Sequence, residues 1–382
     1  MKYTLQDNTL TLFLVGEIAS SNADEVWTEI ENETEGKSFD RLVLDFLDVK
    51  YVSSAGLRVI LRCKQKHKET SIVNASLDVY DILQMTGFTA IMKVHKAIAK
   101  VEVNPDQIVG EGFCGTVYRI SKDTIVKVYK NASIEDIERE MALAKEAFIL
   151  GIPTAITFDI VQVGDKLGVR FEMIDSISLR DAFRDYPHEY DALVRDYGDL
   201  LKTINTTETD NPNLPSAREA FIKKAKTAGQ YLEAKDAKKL LDMAEAIPER
   251  KTFVHGDCHV KNVLCQNHEL FLIDMDTLSV GDPVFELSGI YATYIAFEEA
   301  SPGNNIAFLG LDEKLSRKLY LDTLDRYFGG MSEDQWNRIM VAAYTHMLWW
   351  IDTFDPSNDN RRQVMTRRLK ETLPLVKELS LA

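Results

Sequence analysis

A chain of 382 residues with 45% hydrophobic and 27% charged residues has the make-up of a globular protein of two or three domains. No apolar run reaches the roughly 18 residues of a transmembrane helix, and the opening MKYTLQDNTLTLFLVGE lacks the layout of a secretion signal, so no membrane association and a cytoplasmic location are expected. A formal net charge of −15 argues against non-specific nucleic-acid binding, which needs a basic surface, while it suits the steering of cationic substrates.

Residues 1–103 read as a small α/β unit. Thr9–Val15 partly alternates and predicts a strand, ended by Gly16. Residues 22–33 carry Ala23, Val26, Trp27 and Ile30 at helical spacing behind Asn22. Arg41–Phe46 predicts a second, buried strand, and Val49–Leu57 runs into a helix that continues to about Lys66. A third strand at Ser71–Asn74, a helix at 77–86 stopped by Gly87, and Ile91–Val94 close the unit. The layout, with VKYVSSAGLRVIL (49–61) and LQMTGF (83–88), resembles the STAS family of anti-sigma-factor antagonists and sulphate-transporter tails over roughly residues 1–101. In the antagonists a serine at this helix start is the regulatory phosphorylation site. The resemblance places that role on Ser54, within Ser53-Ser54-Ala55-Gly56 where the family often has Asp-Ser-Ser-Gly, and implies a signalling protein as partner. Free N–H groups at a helix N-terminus suit a phosphate; simple capping by Ser53 and Ser54 is the other reading.

The polar, proline-containing segment 101–107 marks a junction. Beyond it, Ile108–Val117 matches G-x-G-x-x-G-x-V through Gly110, Gly112, Gly115 and Val117, a pattern in which glycine lets backbone approach phosphates. Thr124–Tyr129 follows as an apolar strand containing Lys127, whose charge needs partners there: a nucleotide phosphate and a helix glutamate. The helix from Ser133 to Leu150 offers Glu138 and Glu140; the E-x-x-L spacing to Leu143 favours Glu140. Strands at 155–163 and 167–173 lead to Glu172-Met-Ile-Asp175, which resembles the hinge of a kinase and makes Glu172 a nucleotide-binding candidate.

Residues 190–205 and 216–247 show helical periodicity. The stretch FVHGDCHVKNVLCQNHELFLIDMDT (253–277) then places Asp257 after a short strand, Asn262 five residues on, and Asp274 after the apolar run Leu270–Ile273. Phosphoryl transfer needs a carboxylate to take the acceptor's proton and oxygen ligands for Mg²⁺. Asp257 fits the base, and Asn262 and Asp274 fit the metal ligands. The order of Gly loop, strand lysine, helix glutamate, H-G-D-x4-N and I-D-x-D resembles the aminoglycoside phosphotransferase and choline kinase branch of the protein-kinase-like fold. Ile204-Asn205 stands where that branch has Leu-His, and Glu286 where an Asp follows Gly281-Asp282-Pro283. In VAAYTHMLWWIDTFD (341–355), Tyr344, Trp349 and Trp350 near Asp352 and Asp355 read either as a site for an organic cation or as an aromatic core helix, with His346 packed rather than catalytic. Lys261 either touches a phosphate or is merely exposed. Of the four cysteines Cys63, Cys114, Cys258 and Cys265, none forms a C-x-x-C pair, and reduced thiols are expected. Cys114 and Cys258 flank the chemistry, as redox groups or as fillers of small gaps.

The expected fold is therefore two-domain: an α/β STAS-like domain (1–103), then an α+β bilobal kinase-like domain (104–382) with a nucleotide lobe (104–176) and a helical catalytic lobe (177–382). The expected activity is transfer of phosphate from ATP, or another nucleoside triphosphate, with Mg²⁺ to a small-molecule hydroxyl. Two alternatives stand beside it. One is a protein kinase acting on a STAS serine, its own Ser54 or a partner's, which the lack of the arginine of H-R-D weakens. The other is a non-catalytic nucleotide-binding scaffold, which the filled catalytic positions weigh against.

Overall fold

The computed structural model describes residues 1–112 and 114–381. It divides into two compact units: Met1–Glu102 with the hairpin tip Ile160–Asp165, and Val103–Asp159 with Lys166–Ala382.

In the first unit, alternation along Thr9–Ile18 and Arg41–Val52 turns Leu10, Leu12, Leu42, Leu44 and Phe46 to one buried face. The five strands lie in the order Lys2–Gln6, Thr9–Ile18, Arg41–Val52, Thr70–Ala75, Lys93–Lys96. The first pair is antiparallel and the others are parallel, so helices Ala23–Thr34, Ser54–Lys66 and Leu77–Met85 make the crossovers. Ile60, Cys63, Val79 and Leu83 close the core from the helix side. The edge strand Lys2–Gln6 was not foreseen: it is short and exposed throughout, although Tyr3 and Leu5 alternate with polar residues. Asp7 (φ 45°) and Asn8 (φ 58°) supply the two left-handed residues of the hairpin turn. The last strand is Lys93–Lys96 rather than 91–94; Phe88–Ile91 instead forms a short helical turn.

Gly56 explains how closely the helix Ser54–Lys66 sits on the sheet. A Cβ there would lie 2.4 Å from the carbonyl oxygen of Ile18.

In the second unit, the antiparallel strands Lys166–Glu172, Thr124–Tyr129, Gly115–Arg119 and Ile108–Glu111 lie side by side in that order. The helix Ile134–Ile149 follows Thr124–Tyr129 in the chain, its start capped by Ser133 Oγ accepting from the Asp136 N–H. The remainder is mainly helical, around a core that includes Tyr197, Tyr291, Tyr294, Tyr320 and Tyr344, all buried. The helical periodicity of 216–247 resolves into two helices, Ala217–Gly229 and Ala234–Ala246. Gly229 ends the first and lets Ala237 approach to 3.4 Å of where its Cβ would be, so the pair folds back as a hairpin. Among the described residues no helix is long and apolar enough to cross a membrane.

Gly56→Ala is expected to destabilise the first unit by about 1–3 kcal/mol through overpacking against a backbone oxygen, read as a lower denaturant midpoint of the full chain with the slope unchanged.

Candidate active site

Strand pleating sets the first half of the site. In Thr124–Tyr129, Val126 and Val128 turn to the buried face, so Lys127 and Tyr129 share the other. Lys127 Nζ lies 3.1 Å from Glu140 Oε1 and 2.5 Å from Asp274 Oδ1, and Tyr129 donates its hydroxyl to Glu140 Oε2 at 2.9 Å. The structure thus joins Lys127 to Glu140 of the two helix candidates. Burial opposes the lysine's charge, but the two carboxylates outweigh it and raise its pKa. Gly115 is required by packing, since a Cβ would come within 2.2 Å of the Val128 carbonyl oxygen. The Gly112 N–H donates to the Gly115 carbonyl at 2.9 Å, closing the loop on itself, and Gly110 and Val117 pair across its two strands. Glu172 ends its strand with Oε1 accepting from the Ile156 N–H at 2.8 Å, so its side chain is committed to the backbone.

The second half hangs on the loop after Phe253–Val254, a strand paired with Ser279–Val280. Gly256 takes φ +84°, with the Thr277 carbonyl 3.2 Å from where a Cβ would lie. Asp257 follows, its side chain nearly half exposed (47%). Surrounding protein, reinforced by Asp274, pushes its carboxyl up to about 6. Asn262 Nδ2 donates to Asp257 Oδ2 at 2.9 Å and to its carbonyl at 3.0 Å, which turns the Asn262 carbonyl oxygen away from the base. Asp274 sits at φ 67°, ψ 66°, a left-handed conformation that costs free energy for a residue with a Cβ.

Two histidines orient the loop. Burial keeps His255 neutral; Nδ1 accepts from the Asp257 N–H (3.3 Å), so Nε2–H donates to the Ile273 carbonyl (3.1 Å) and ties the base to the strand carrying Asp274. Burial drops His259 to about 4, and its Nδ1 accepts from the Lys261 N–H (3.3 Å), leaving Nε2–H facing Asp257 Oδ1 at 3.5 Å.

Several side chains support the loop, among them Glu286, in the segment that the sequence reads as structural from its resemblance to the kinase segment anchoring this loop. Glu286 Oε2 accepts from the N–H groups of His255 (2.5 Å) and Gly256 (3.3 Å), and burial pushes its carboxyl up to about 7. Tyr294, on the π-helical turn Ala292–Ala296, accepts from the Val260 N–H at 3.0 Å, and Tyr197 donates to the Cys258 carbonyl. Asn205 takes the place expected for a histidine by donating to the Phe253 carbonyl at 3.1 Å. Asp276 was missed, although the quoted I-D-M-D contains it. Burial, then Asp274 and Glu140, pushes its carboxyl up to about 6.

For the stretch 341–355 and for the cysteines, the geometry takes the plainer of the two readings. Asp352 already accepts from Tyr231 (2.6 Å) and Arg362 (3.1 Å), and Asp355 from Arg361 (3.0 Å). Tyr344 is buried against Glu299 and Tyr291, and Trp350 packs edge-on against Phe297, so 341–355 is a core helix and no cation site. Burial raises both Cys114 and Cys258, the former helped by Asp276 and Asp274; neither has the lowered thiol pKa of a redox group.

Among the described residues no three His, Cys, Asp or Glu side chains form a ready-made metal cage. The donor set nevertheless fits Mg²⁺, which is held by one or two carboxylates together with substrate phosphates. Asp274, Asp276 and Glu140 crowd around a single ammonium, an excess of negative charge that a divalent cation would balance.

A glycine loop, a strand lysine paired to a helix glutamate, and a base loop facing a strand-end aspartate define a phosphotransferase of the protein-kinase-like fold. The chain belongs to the phosphotransferase enzyme family, which residues 107–318 match, and residues 1–101 match the STAS domain. Over 100 residues (25% of this chain and 85% of the relative) it is 32% identical to a Bordetella bronchiseptica protein named as a candidate anti-sigma factor antagonist, BtrV. The streptomycin–ATP–APH(2″)-IIa ternary complex is 18% identical, covering 73% of this chain and 90% of that one, with a TM-score of 0.45. A choline/ethanolamine kinase family protein of Mesorhizobium loti is 14% identical over 69% and 86%, with a TM-score of 0.40. Likenesses at this level do not bear on substrate.

Tyr294→Phe is expected to leave the buried Val260 N–H without a partner and to cost about 1–3 kcal/mol of stability, measured by chemical denaturation.

Proposed function

We propose that the second unit transfers the γ-phosphoryl group of ATP, with Mg²⁺, to the hydroxyl of a small molecule. The observation that supports this most is the convergence on one site of Lys127, Glu140 and Asp274 with Asp257 and Asn262. Asp257 accepts the acceptor's hydroxyl proton as the new O–P bond forms and the bond to the β-phosphate breaks, releasing ADP. Lys127, held by Glu140, positions phosphates over the glycine loop of Gly110, Gly112 and Gly115. Asn262 and Asp274, with Asp276 beside them, would hold Mg²⁺, which supplies positive charge to the phosphate oxygens.

Asp257 works only as the carboxylate. Its pKa is raised to about 6, so the active form is lost as pH falls through that value. Acceptor kcat/KM should therefore be level above about pH 7 and fall roughly tenfold per unit below about pH 6. Asp257→Asn should lower kcat by about 10²–10⁴-fold while ATP binding persists. A stopped-time assay across pH 5–8 checks both; full turnover in the variant would remove the assignment. Lys127→Ala and Glu140→Ala, but not Glu138→Ala, should each reduce kcat/KM for ATP by at least tenfold.

A second reading takes support from Ser54. Ser53 caps the helix, its Oγ accepting from the Gly56 N–H, whereas Ser54 is exposed at the first helical position. Phosphate there would add about −1.5 to −2 charge at a helix N-terminus. If the chain phosphorylates itself, peptide mapping after incubation with Mg·ATP should find phospho-Ser54 in the wild type, and none in Ser54→Ala or Asp257→Asn.

A further inference from the structure

The surface that exposes Asp257 carries a second charged group. Lys261, four residues along the loop, is half-buried, with Nζ 4.4 Å from the centre of the Phe308 ring. Among the described residues no carboxylate comes within ion-pair distance of it. Arg180 is bonded to the residue just before Lys261 in the chain, Val260. Arg180 is lodged in place: its N–H donates to the Val260 carbonyl at 3.0 Å, and Gly310 leaves room for its Cδ. Asp181 binds its guanidinium at 2.9–3.0 Å, so Lys261 is the cation left without a counter-ion. Beside it, Phe308 and Ile306 of the short helix Asn304–Leu309 are 43% and 64% exposed, and His259 presents a neutral ring to Phe308 at 5.2 Å.

A partly desolvated ammonium set beside a guanidinium costs free energy that a bound anion returns. An organic cation placed there meets repulsion instead, and the carboxylates of 341–355 offer it no alternative, being paired to arginines. We propose that the acceptor is a hydroxyl compound carrying an anionic group, a carboxylate or a phosphate, bound by Lys261 with Arg180 behind it and with its carbon skeleton against Phe308. This rests on Asp257 being the base. The γ-phosphate of ATP is the other anion that Lys261 could meet, and the test separates the two.

The full chain is assayed with Mg·ATP and four matched alcohols: glycerate, glycerol 3-phosphate, glycerol and ethanolamine. ATP turnover without an alcohol, and its loss in Asp257→Asn, reports the phosphotransferase reading by itself. The expected result is Asp257-dependent turnover stimulated by glycerate or glycerol 3-phosphate and not by glycerol or ethanolamine. Lys261→Ala should raise the KM for the stimulating anion about ten- to hundredfold, with Lys261→Arg recovering most of it and the KM for ATP moving far less. Stimulation by ethanolamine or glycerol, or by no alcohol, overturns the inference and leaves the phosphotransferase standing. An equal rise in the KM for ATP moves Lys261 to the nucleotide and also overturns it. Absence of any Asp257-dependent turnover overturns both.

Discussion

The interaction on which the second unit depends is the ammonium of Lys127 held between Glu140 and Asp274. It joins three places far apart in sequence: the middle of a strand, the middle of a helix, and the end of a strand 147 residues later. Lys127 and Glu140 are only 13% and 12% exposed, so neither is screened as a surface pair would be. Removing one partner from such a buried pair typically costs about 3–5 kcal/mol, because the other charge is left uncompensated. The pair therefore constrains the position of the helix Ile134–Ile149 and the left-handed backbone of Asp274 together.

Around that pair the protein spends much of its polar chemistry on holding one loop. Glu286, Tyr294, Tyr197, Asn205 and His255 each bond a backbone atom of residues 253–260 or of Ile273. Side-chain bonds to buried backbone stabilise modestly when made and cost more when lost. A loop with five such ties has little freedom, and Asp257 inherits that rigidity while its carboxylate remains open on one side. The residues that fix the loop are thus distinct from the carboxylate it presents.

The residues of the proposed chemistry were legible because charged side chains stand at fixed offsets from apolar runs: Lys127 inside one, Asp274 at the end of another. A charge in such a place demands a partner, and spacing names the candidates. The supports were not legible. The segment of Glu286 reads as structural by resemblance, but its bonds to two N–H groups thirty residues back do not follow from spacing, and buried tyrosines read as core. In the first unit Lys2–Gln6 does alternate, through Tyr3 and Leu5, but over only five residues, and Asp7-Asn8 could have marked its turn. The stretch 341–355 left two readings open for a different reason. Its acids sit among aromatics in sequence, but their counter-ions Arg361 and Arg362 begin the next helix, and only folding brings them together.

The net charge of −15 is a poor guide to the acceptor for the same reason. At physiological ionic strength exposed charges are screened over about 8 Å. What a molecule meets beside Asp257 is set by the groups there rather than by the sum over 382 residues. Asp181 is occupied by Arg180, and Lys261, whose charged end lies over the ring of Phe308, has no carboxylate within ion-pair distance among the described residues. An acidic chain can therefore hold a cation that lacks a counter-ion. The two facts serve different ends: bulk charge governs solubility and long-range encounter, and the unpaired lysine governs what is retained once it arrives.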